Sequence, residues 1–179
     1  MSEQKGILMI CLGNICRSPI AEAVMIDVVK KQNLSDKFFI DSAAIGNIKR
    51  GHHIFNLNND DVHVLGPWHV GKTAEKRALE TMKQHNLEYN NKARMISQAD
   101  FAKFDYIFGM DNENMWDLKQ LNPNGAKAKC LLLGDYDPQG EKIIRDPYYD
   151  KDSQGFEKAY EQSVRCCEAF LKKVQAGEI

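Results

Sequence analysis

Two cysteines and one arginine near the N-terminus have the spacing of a phosphate-binding loop. Residues 11–18 read CLGNICRS, so Arg17 follows Cys11 by six residues and comes just before a predicted helix. Backbone N–H groups in such a loop converge on one anion, while an arginine guanidinium donates to two of its oxygens. The same positive field favours the thiolate form of a cysteine. The spacing therefore predicts that Cys11 is a nucleophile that attacks a bound phosphate.

The remaining loop residues suit the same chemistry. Gly13 and Asn14 are residue types that tolerate the left-handed backbone of a tight loop, and the Ser18 hydroxyl can donate to the thiolate. A cysteine and an arginine at this spacing also fit a buried strand end and a solvated charge, so spacing leaves that alternative open. The predicted phosphate-binding residues, besides Arg17, are Leu12, Gly13, Asn14, Ile15, Cys16 and Ser18.

A proton donor for the leaving group is expected at Asp146. This residue precedes Pro147, which disfavours helical backbone in the residue before it and predicts an extended Asp146. Tyr148 and Tyr149 follow, and both can line a slot for an aromatic substrate. A polar turn whose tyrosines half pack on the core is an alternative that this motif leaves open.

These residues need a scaffold, which the alternation of apolar runs and helical patterns predicts. Strands are expected at residues 6–11, 37–42, 104–110 and 129–133, and helices at 18–31, 73–85, 97–103, 112–121 and 153–174. Ser18 is predicted to cap the first helix, with Pro19 at its first position. The order predicts an α/β fold with a doubly wound, four-stranded parallel sheet and helices on both faces. Cys11 then lies at the carboxyl end of the first strand, where such sheets bind ligands.

The composition is that of an ordinary globular domain. The chain has 179 residues, of which 43% are hydrophobic and 27% charged, and a formal net charge of −1. We therefore expect one domain over residues 1–179 and neither a nucleic-acid nor a membrane partner. The five cysteines include no CxxC pair, which predicts a reducing, cytoplasmic location. Of these, Cys130, Cys166 and Cys167 are expected to be buried apolar side chains.

Residues 47–67 interrupt the alternation. They have no helical period, and two short apolar runs flank the turn-forming residues 58–61, which predicts an inserted loop or hairpin. Three histidines, His52, His53 and His63, raise the alternative of a metal site. Their spacing is not compact, so we expect neither a metal nor a cofactor.

Beyond these patterns, the chain resembles the low molecular weight protein tyrosine phosphatase family. The resemblance is carried by LMICLGNICRSPIAE at residues 8–22, DSAA at 41–44, FDYIFGMD at 104–111, LLGDYDP at 132–138, DPYY at 146–149 and VRCCEAFL at 164–171. It implies a phosphocysteine intermediate on Cys11, phosphate held by Arg17 and the loop amides, and Asp146 acting as acid and then as base without a metal. Phosphotyrosine proteins and small aryl phosphates are the implied substrates, and inorganic phosphate is the product.

The resemblance also implies roles for residues around this centre. Asn14, Ser18 and Ser42 brace the loop through hydrogen bonds, and Tyr148 and Tyr149 border the substrate. Cys16 bonds to Cys11 on oxidation and protects it from irreversible damage. Trp68 follows the insertion and corresponds to an aromatic residue that flanks the active site, while Glu75 and Asn91 stand where the family has an acidic residue and a histidine. We expect a monomer.

Two other functions remain open at this level. An arsenate reductase shares this loop but needs further cysteines on a mobile segment, and the predicted strand and helix positions of Cys130, Cys166 and Cys167 do not suit that relay. A phosphotyrosine-binding pseudophosphatase is the second alternative, in which residues 47–67 block turnover but leave the anion site intact.

Overall fold

Four parallel strands form one sheet in this computed structural model, which describes residues 4–46 and 69–179. The strands are β1 (Lys5–Cys11), β2 (Phe38–Ala44), β3 (Tyr106–Gly109) and β4 (Lys129–Leu132). Their order is β2-β1-β3-β4, and each neighbouring pair is parallel. The predicted four-stranded parallel sheet is confirmed.

Each predicted helix is present, with ends that differ by a few residues. The helices are α1 (Arg17–Lys31), α2 (Lys76–Gln84), α3 (Gln98–Lys103), α4 (Asn112–Leu121) and α5 (Gln154–Gln175), and one turn of 3-10 helix follows β4 at Leu133–Tyr136.

The predicted cap of α1 is wrong. The helix begins at Arg17 with Cys16 as its N-cap residue, and no side chain caps it. Ser18 lies inside the first turn, because its hydroxyl contacts Cys11 and Asn14 of the phosphate loop instead. Pro19 is tolerated in that turn, where a backbone N–H has no partner within the helix.

The core has one layer on each face of the sheet. The side chains of Ile7 and Met9 join an apolar cluster that includes residues of α1, α2 and α5. Leu8 and Ile10 join a second cluster that includes residues of α3 and α4. Because successive residues of a strand face opposite sides, β1 is covered on both faces, as its uninterrupted apolar sequence predicts.

Two of the three cysteines outside the phosphate loop behave as predicted. Cys166 and Cys167 of α5 are fully buried, and burial raises the pKa of Cys166 to about 12. Cys130 on β4 is only partly buried, so the prediction is wrong for that residue. All five cysteines are free thiols.

The sheet topology decides where the site lies. The chain passes from β1 to β2 on one side and then crosses to β3 on the other, so the carboxyl ends of β1 and β3 are adjacent. Cys11, the last residue of β1, and Asp111, two residues after β3, both lie at this edge. The N–H of Ile144 donates to the carbonyl of Met110 at 2.9 Å, which places the segment carrying Asp146 beside the same edge.

The predicted insertion at residues 47–67, with its hairpin and its histidines, lies outside the described residues, and so does Trp68. Within residues 4–46 and 69–179, no helix combines the length and the apolar character that a membrane crossing requires. The same two ranges hold no group of three or more His, Cys, Asp or Glu side chains arranged to bind a metal ion.

Candidate active site

A hydrogen-bonded serine lies beside the predicted nucleophile. Cys11 is buried at the end of β1, and its Sγ lies 3.1 Å from Ser18 Oγ. Ser18 Oγ accepts a hydrogen bond from Asn14 Nδ2 at 2.9 Å. Since the Asn14 amide donates to a lone pair of Ser18 Oγ, the hydroxyl proton of Ser18 is available to donate to the sulfur. Such a hydrogen bond stabilises a thiolate.

Asn14 links the loop to two other parts of the chain. It has a φ of 54°, as the sequence predicts for a residue that tolerates left-handed backbone. Its Nδ2 also donates to Ser42 Oγ at 2.8 Å, and its Oδ1 accepts from the backbone N–H of Arg94 at 3.1 Å. The structure thus brings Asn14, Ser18 and Ser42 together.

Glycine is needed at position 13 for a reason other than the predicted left-handed backbone. It does not have a positive φ, so left-handed backbone does not explain it. A Cβ at this position would lie 3.0 Å from Cδ2 of His69, which is tighter than an ordinary contact. Gly13 therefore leaves room for the imidazole that packs on the phosphate loop.

A buried carboxyl group, which was not predicted from the sequence, contacts Ser42. The Ser42 hydroxyl donates to Glu22 Oε2 at 2.5 Å, while Asn91 Nδ2 donates to Glu22 Oε1. Burial raises the pKa of Glu22 from 4.5 to about 7. A charged residue among apolar ones on α1 was the only signal of this role in the sequence. Asn91, at the position where the resemblance implies a histidine, thus contributes a hydrogen bond to this network.

Arg17 is a buried cation held by three hydrogen bonds. Its side chain is 3% exposed, and its Nη1 donates to Asp111 Oδ2 at 2.5 Å and to the carbonyl of Ile144 at 3.0 Å. Its Nη2 donates to Asp146 Oδ2 at 3.2 Å. Burial opposes the charge, but the Cys11 thiolate and both carboxylates outweigh it and raise the pKa of Arg17.

One donor of Arg17 remains unused. Its Nε is buried and has no hydrogen-bond acceptor among the residues that the structure describes. Buried N–H groups nearly always have an acceptor, and leaving one without costs about 1–3 kcal/mol. An anion in the loop would supply the missing acceptor.

Asp111 was also missed as a functional residue. It is the N-cap of α4, where its Oδ1 accepts from the N–H of Asn114 at 2.8 Å, and its Oδ2 remains for Arg17. The available signal was its position at the end of the third predicted strand, since carboxyl ends of parallel strands meet at one edge of a sheet.

Asp146 and the two tyrosines form the rim of the site. Asp146 Oδ1 accepts from the N–H of Tyr148 at 3.1 Å, and the rings of Tyr148 and Tyr149 meet edge to face with centroids 5.0 Å apart. Tyr149 is 91% exposed, so it does not pack on the core as the polar-turn alternative requires. The ring of His69 lies 6.2 Å from that of Tyr148, and Leu12 is also exposed. The rim therefore offers aromatic and apolar surface.

Cys16 is buried at the start of α1. Burial, and after it the charge of Cys11, raises the pKa of Cys16 above the usual thiol range. Of the two loop cysteines, Cys16 is therefore held as a neutral thiol, which is a poor competitor for a phosphate.

Comparisons with known proteins agree with this arrangement. The family model for low molecular weight phosphotyrosine protein phosphatases matches residues 6–57 and 62–178. Between these two ranges only residues 58–61 are unmatched, so the model also matches most of the segment that was predicted to be an insertion. Low molecular weight phosphotyrosine protein phosphatase 1 of Drosophila melanogaster is 46% identical over 170 residues, covering 94% of this chain and 96% of that protein.

Two solved structures extend the comparison to the fold. A protein tyrosine phosphatase from Entamoeba histolytica is 30% identical with a TM-score of 0.83, and the alignment covers 98% of this chain and all of that one. An arginine phosphatase from Drosophila is 36% identical with a TM-score of 0.79, over 96% of this chain and 98% of that one. This chain therefore belongs to the low molecular weight phosphotyrosine protein phosphatase family.

Proposed function

We propose that Cys11 is the nucleophile with which this phosphatase hydrolyses phosphotyrosine in proteins and small aryl phosphates. In the first step the Cys11 thiolate attacks phosphorus and the bond from phosphorus to the tyrosyl oxygen breaks, while Asp146 gives its proton to the leaving phenolate. In the second step water attacks the phosphocysteine and gives a proton to the Asp146 carboxylate. The sulfur–phosphorus bond then breaks, releasing inorganic phosphate and the Cys11 thiolate.

The observation that carries the proposal is the unpartnered Nε of Arg17. This buried donor belongs to the first residue of α1, directly after the loop that begins at Cys11, and Asp146 contacts the same guanidinium from the rim. A phosphate bound here would accept from Arg17 Nε and from the amides of the loop and of the helix start, between the nucleophile and the acid.

The test is hydrolysis of para-nitrophenyl phosphate and of a phosphotyrosine peptide by wild type, Cys11→Ser and Asp146→Asn. We expect Cys11→Ser to abolish turnover while keeping phosphate binding, because the anion donors remain. Asp146→Asn should lower kcat/KM for the peptide by about 10²–10⁴-fold. Normal turnover by Cys11→Ser would refute the mechanism.

The rim favours phosphotyrosine over phosphoarginine, the substrate class that the name of the Drosophila arginine phosphatase suggests. Tyr148, Tyr149 and Leu12 expose aromatic and apolar surface that suits a phenyl ring. We expect kcat/KM for a phosphotyrosine peptide to exceed that for the matched phosphoarginine peptide by at least about tenfold. The opposite preference would reassign the substrate and leave the role of Cys11 unchanged.

The two alternatives from the sequence have direct tests. A pseudophosphatase requires that wild type be inactive and that a variant lacking residues 47–67 turn over substrate. An arsenate reductase requires thioredoxin-coupled reduction of arsenate. Since Cys166 and Cys167 are fully buried in α5, we expect no such reduction.

We further propose a cytoplasmic, monomeric enzyme with reversible redox control. Five free thiols support a reducing compartment, and one chain supplies Cys11, Arg17 and Asp146, so no second copy is needed. Cys16 would form a disulfide with Cys11 on oxidation and so prevent further oxidation of the nucleophile. After peroxide treatment, dithiothreitol should restore activity to wild type but less completely to Cys16→Ser.

A further inference from the structure

We propose that Arg77 is a positioning residue that holds Asp146 at its working place relative to Cys11. The inference rests on the proposed role of Asp146 as general acid. Arg77 lies on α2, outside the phosphate loop and outside the segment that carries the acid, and none of the roles above uses it.

Arg77 binds the backbone of the segment that follows Asp146. Its Nη2 donates to the carbonyl of Tyr148 at 2.9 Å, and its Nη1 donates to the carbonyl of Asp150 at 2.6 Å and weakly to that of Asp152 at 3.4 Å. The guanidinium also lies over the ring of Phe156, 4.5 Å from its centroid. One planar group thus fixes several points of a single turn.

This turn orients the acid directly. The carbonyl of Tyr148 accepts a hydrogen bond from Arg77, and the N–H of Tyr148 donates to Asp146 Oδ1 at 3.1 Å. Holding the carbonyl of Tyr148 therefore limits how far the residue, its N–H and the Asp146 carboxylate can move. The second carboxylate oxygen contacts Arg17 at 3.2 Å.

The other end of this connection reaches the nucleophile loop. Arg77 Nε donates to Glu75 Oε1 at 2.9 Å, and Glu75 also caps α2 by accepting from the N–H of Arg77 at 2.7 Å. The backbone N–H of Glu75 donates to the carbonyl of Ile15 at 2.8 Å. Glu75 and Arg77 together bridge the loop of Cys11 and the turn of Asp146.

Such a bridge matters for catalysis because acid and nucleophile act on opposite ends of one breaking bond. Misplacement of a reacting group by about 1 Å can cost about 10²-fold in rate. Arg77 contacts backbone carbonyls, whereas Arg17 contacts the Asp146 carboxylate itself. Arg77 is therefore placed to affect geometry and not to exchange protons.

The test compares kcat/KM for two aryl phosphates, one with phenol and one with dinitrophenol as leaving group. Phenol leaves poorly without a proton, whereas dinitrophenolate needs little help from an acid. We expect Arg77→Met, which keeps an unbranched apolar side chain near Phe156, to lower kcat/KM for phenyl phosphate by about tenfold or more. The loss for the dinitrophenyl ester should stay below about threefold.

Arg165→Met is the matched control. Arg165 is 23% exposed, against 22% for Arg77, and it likewise ties a helix to a loop through two hydrogen bonds to Asp137, away from the active site. We expect this variant to lose stability without any dependence on the leaving group. If Arg77 had only a structural role, Arg77→Met would likewise lose stability without any dependence on the leaving group.

Equal losses for both esters in Arg77→Met, or no loss at all, would overturn the proposal. Arg77→Lys is the second variant, for the case that Arg77→Met fails to fold. Its ammonium keeps the charge but not the planar fork, so this variant should show the same leaving-group dependence. If Arg77→Lys shows no such dependence, the proposal is also overturned.

Asp146→Asn separates the two claims. It must show a strong leaving-group dependence by itself, and Arg77→Met should add no further dependence in that background. If Asp146→Asn shows none, the acid role proposed for Asp146 fails. If Asp146→Asn shows the dependence and Arg77→Met does not, only the role of Arg77 fails.

Discussion

Asp111 Oδ2 lies 2.5 Å from Arg17 Nη1, where the carboxyl ends of β3 and β1 meet. This contact fixes the guanidinium, whose Nε has no hydrogen-bond acceptor among the described residues. We expect Asp111→Asn to lower kcat/KM for para-nitrophenyl phosphate by about 10–100-fold, because a charge-assisted hydrogen bond contributes about 1.5–3 kcal/mol.

Asp111→Ala provides the comparison, measured by thermal unfolding. Both variants lose the carboxylate that Arg17 contacts, but asparagine still caps α4, so Asp111→Ala should be less stable than Asp111→Asn by about 1 kcal/mol. Wild-type kcat/KM in Asp111→Asn would show that Arg17 does not need this carboxylate.

Two variants of Asn14 separate the effect of its backbone conformation from the effect of its side-chain hydrogen bonds. Asn14→Gly keeps left-handed backbone accessible but removes the donor to Ser18 and Ser42, and Asn14→Ala also adds a backbone cost of about 1–2 kcal/mol. We expect both variants to lose at least about tenfold in kcat/KM. Both variants lose the buried hydrogen bonds of Asn14, and the alanine variant should have the lower melting temperature of the two. Full activity in Asn14→Gly would dismiss the hydrogen bonds as a catalytic requirement.

Glu22 should make stability depend on pH. Its pKa is raised from 4.5 to about 7 in the folded state, so between these values the folded protein binds more protons than the unfolded chain. The contribution of Glu22 to the free energy of unfolding is therefore fully present below about pH 4.5. It is lost as pH rises through about 7, and the loss amounts to up to about 3 kcal/mol.

The measurement is urea unfolding of wild type and Glu22→Gln at about pH 5 and about pH 8. Glutamine resembles the protonated acid and does not titrate, so its free energy of unfolding should fall less over this interval. Parallel behaviour of the two proteins would mean that Glu22 is not the titrating group.

Gly13 and His69 should be coupled. A Cβ on residue 13 would meet Cδ2 of His69 at 3.0 Å, so Gly13→Ala must displace the ring or the loop. We expect Gly13→Ala to lower kcat/KM several-fold and the added change His69→Ala to restore most of it, since the opposing atoms are then gone. Additive losses in the double variant would place the strain elsewhere in the loop.

The fold was largely predictable because its signals are local. An apolar run such as residues 6–11 predicts a buried strand from its own composition, and helix periodicity with Ser97 and Asp100 marks the start of α3, where Asp100 accepts from the N–H of Ser97. Cys11 and Arg17 were likewise identifiable, because the loop that joins them is one short contiguous segment.

Other features required the assembled chain. The sequence predicted both that Ser18 donates to Cys11 and that it caps α1, and local pattern could not decide between the two. Nor could it tell that Gly13 makes room for His69 or that Cys130 stays partly exposed. Each depends on which segment packs next to the residue.

The sequence by itself determined the order of strands and helices, the phosphate loop and the acid candidate, since residue type and spacing decide these over a few turns of chain. Only the tertiary structure decided which groups support that chemistry. Arg17 and Asp111 are 94 residues apart, Arg77 and Tyr148 are 71 apart, and Ser42 and Glu22 are 20 apart. Such contacts follow from the crossing between β1 and β3 and from helix packing, which local periodicity does not encode.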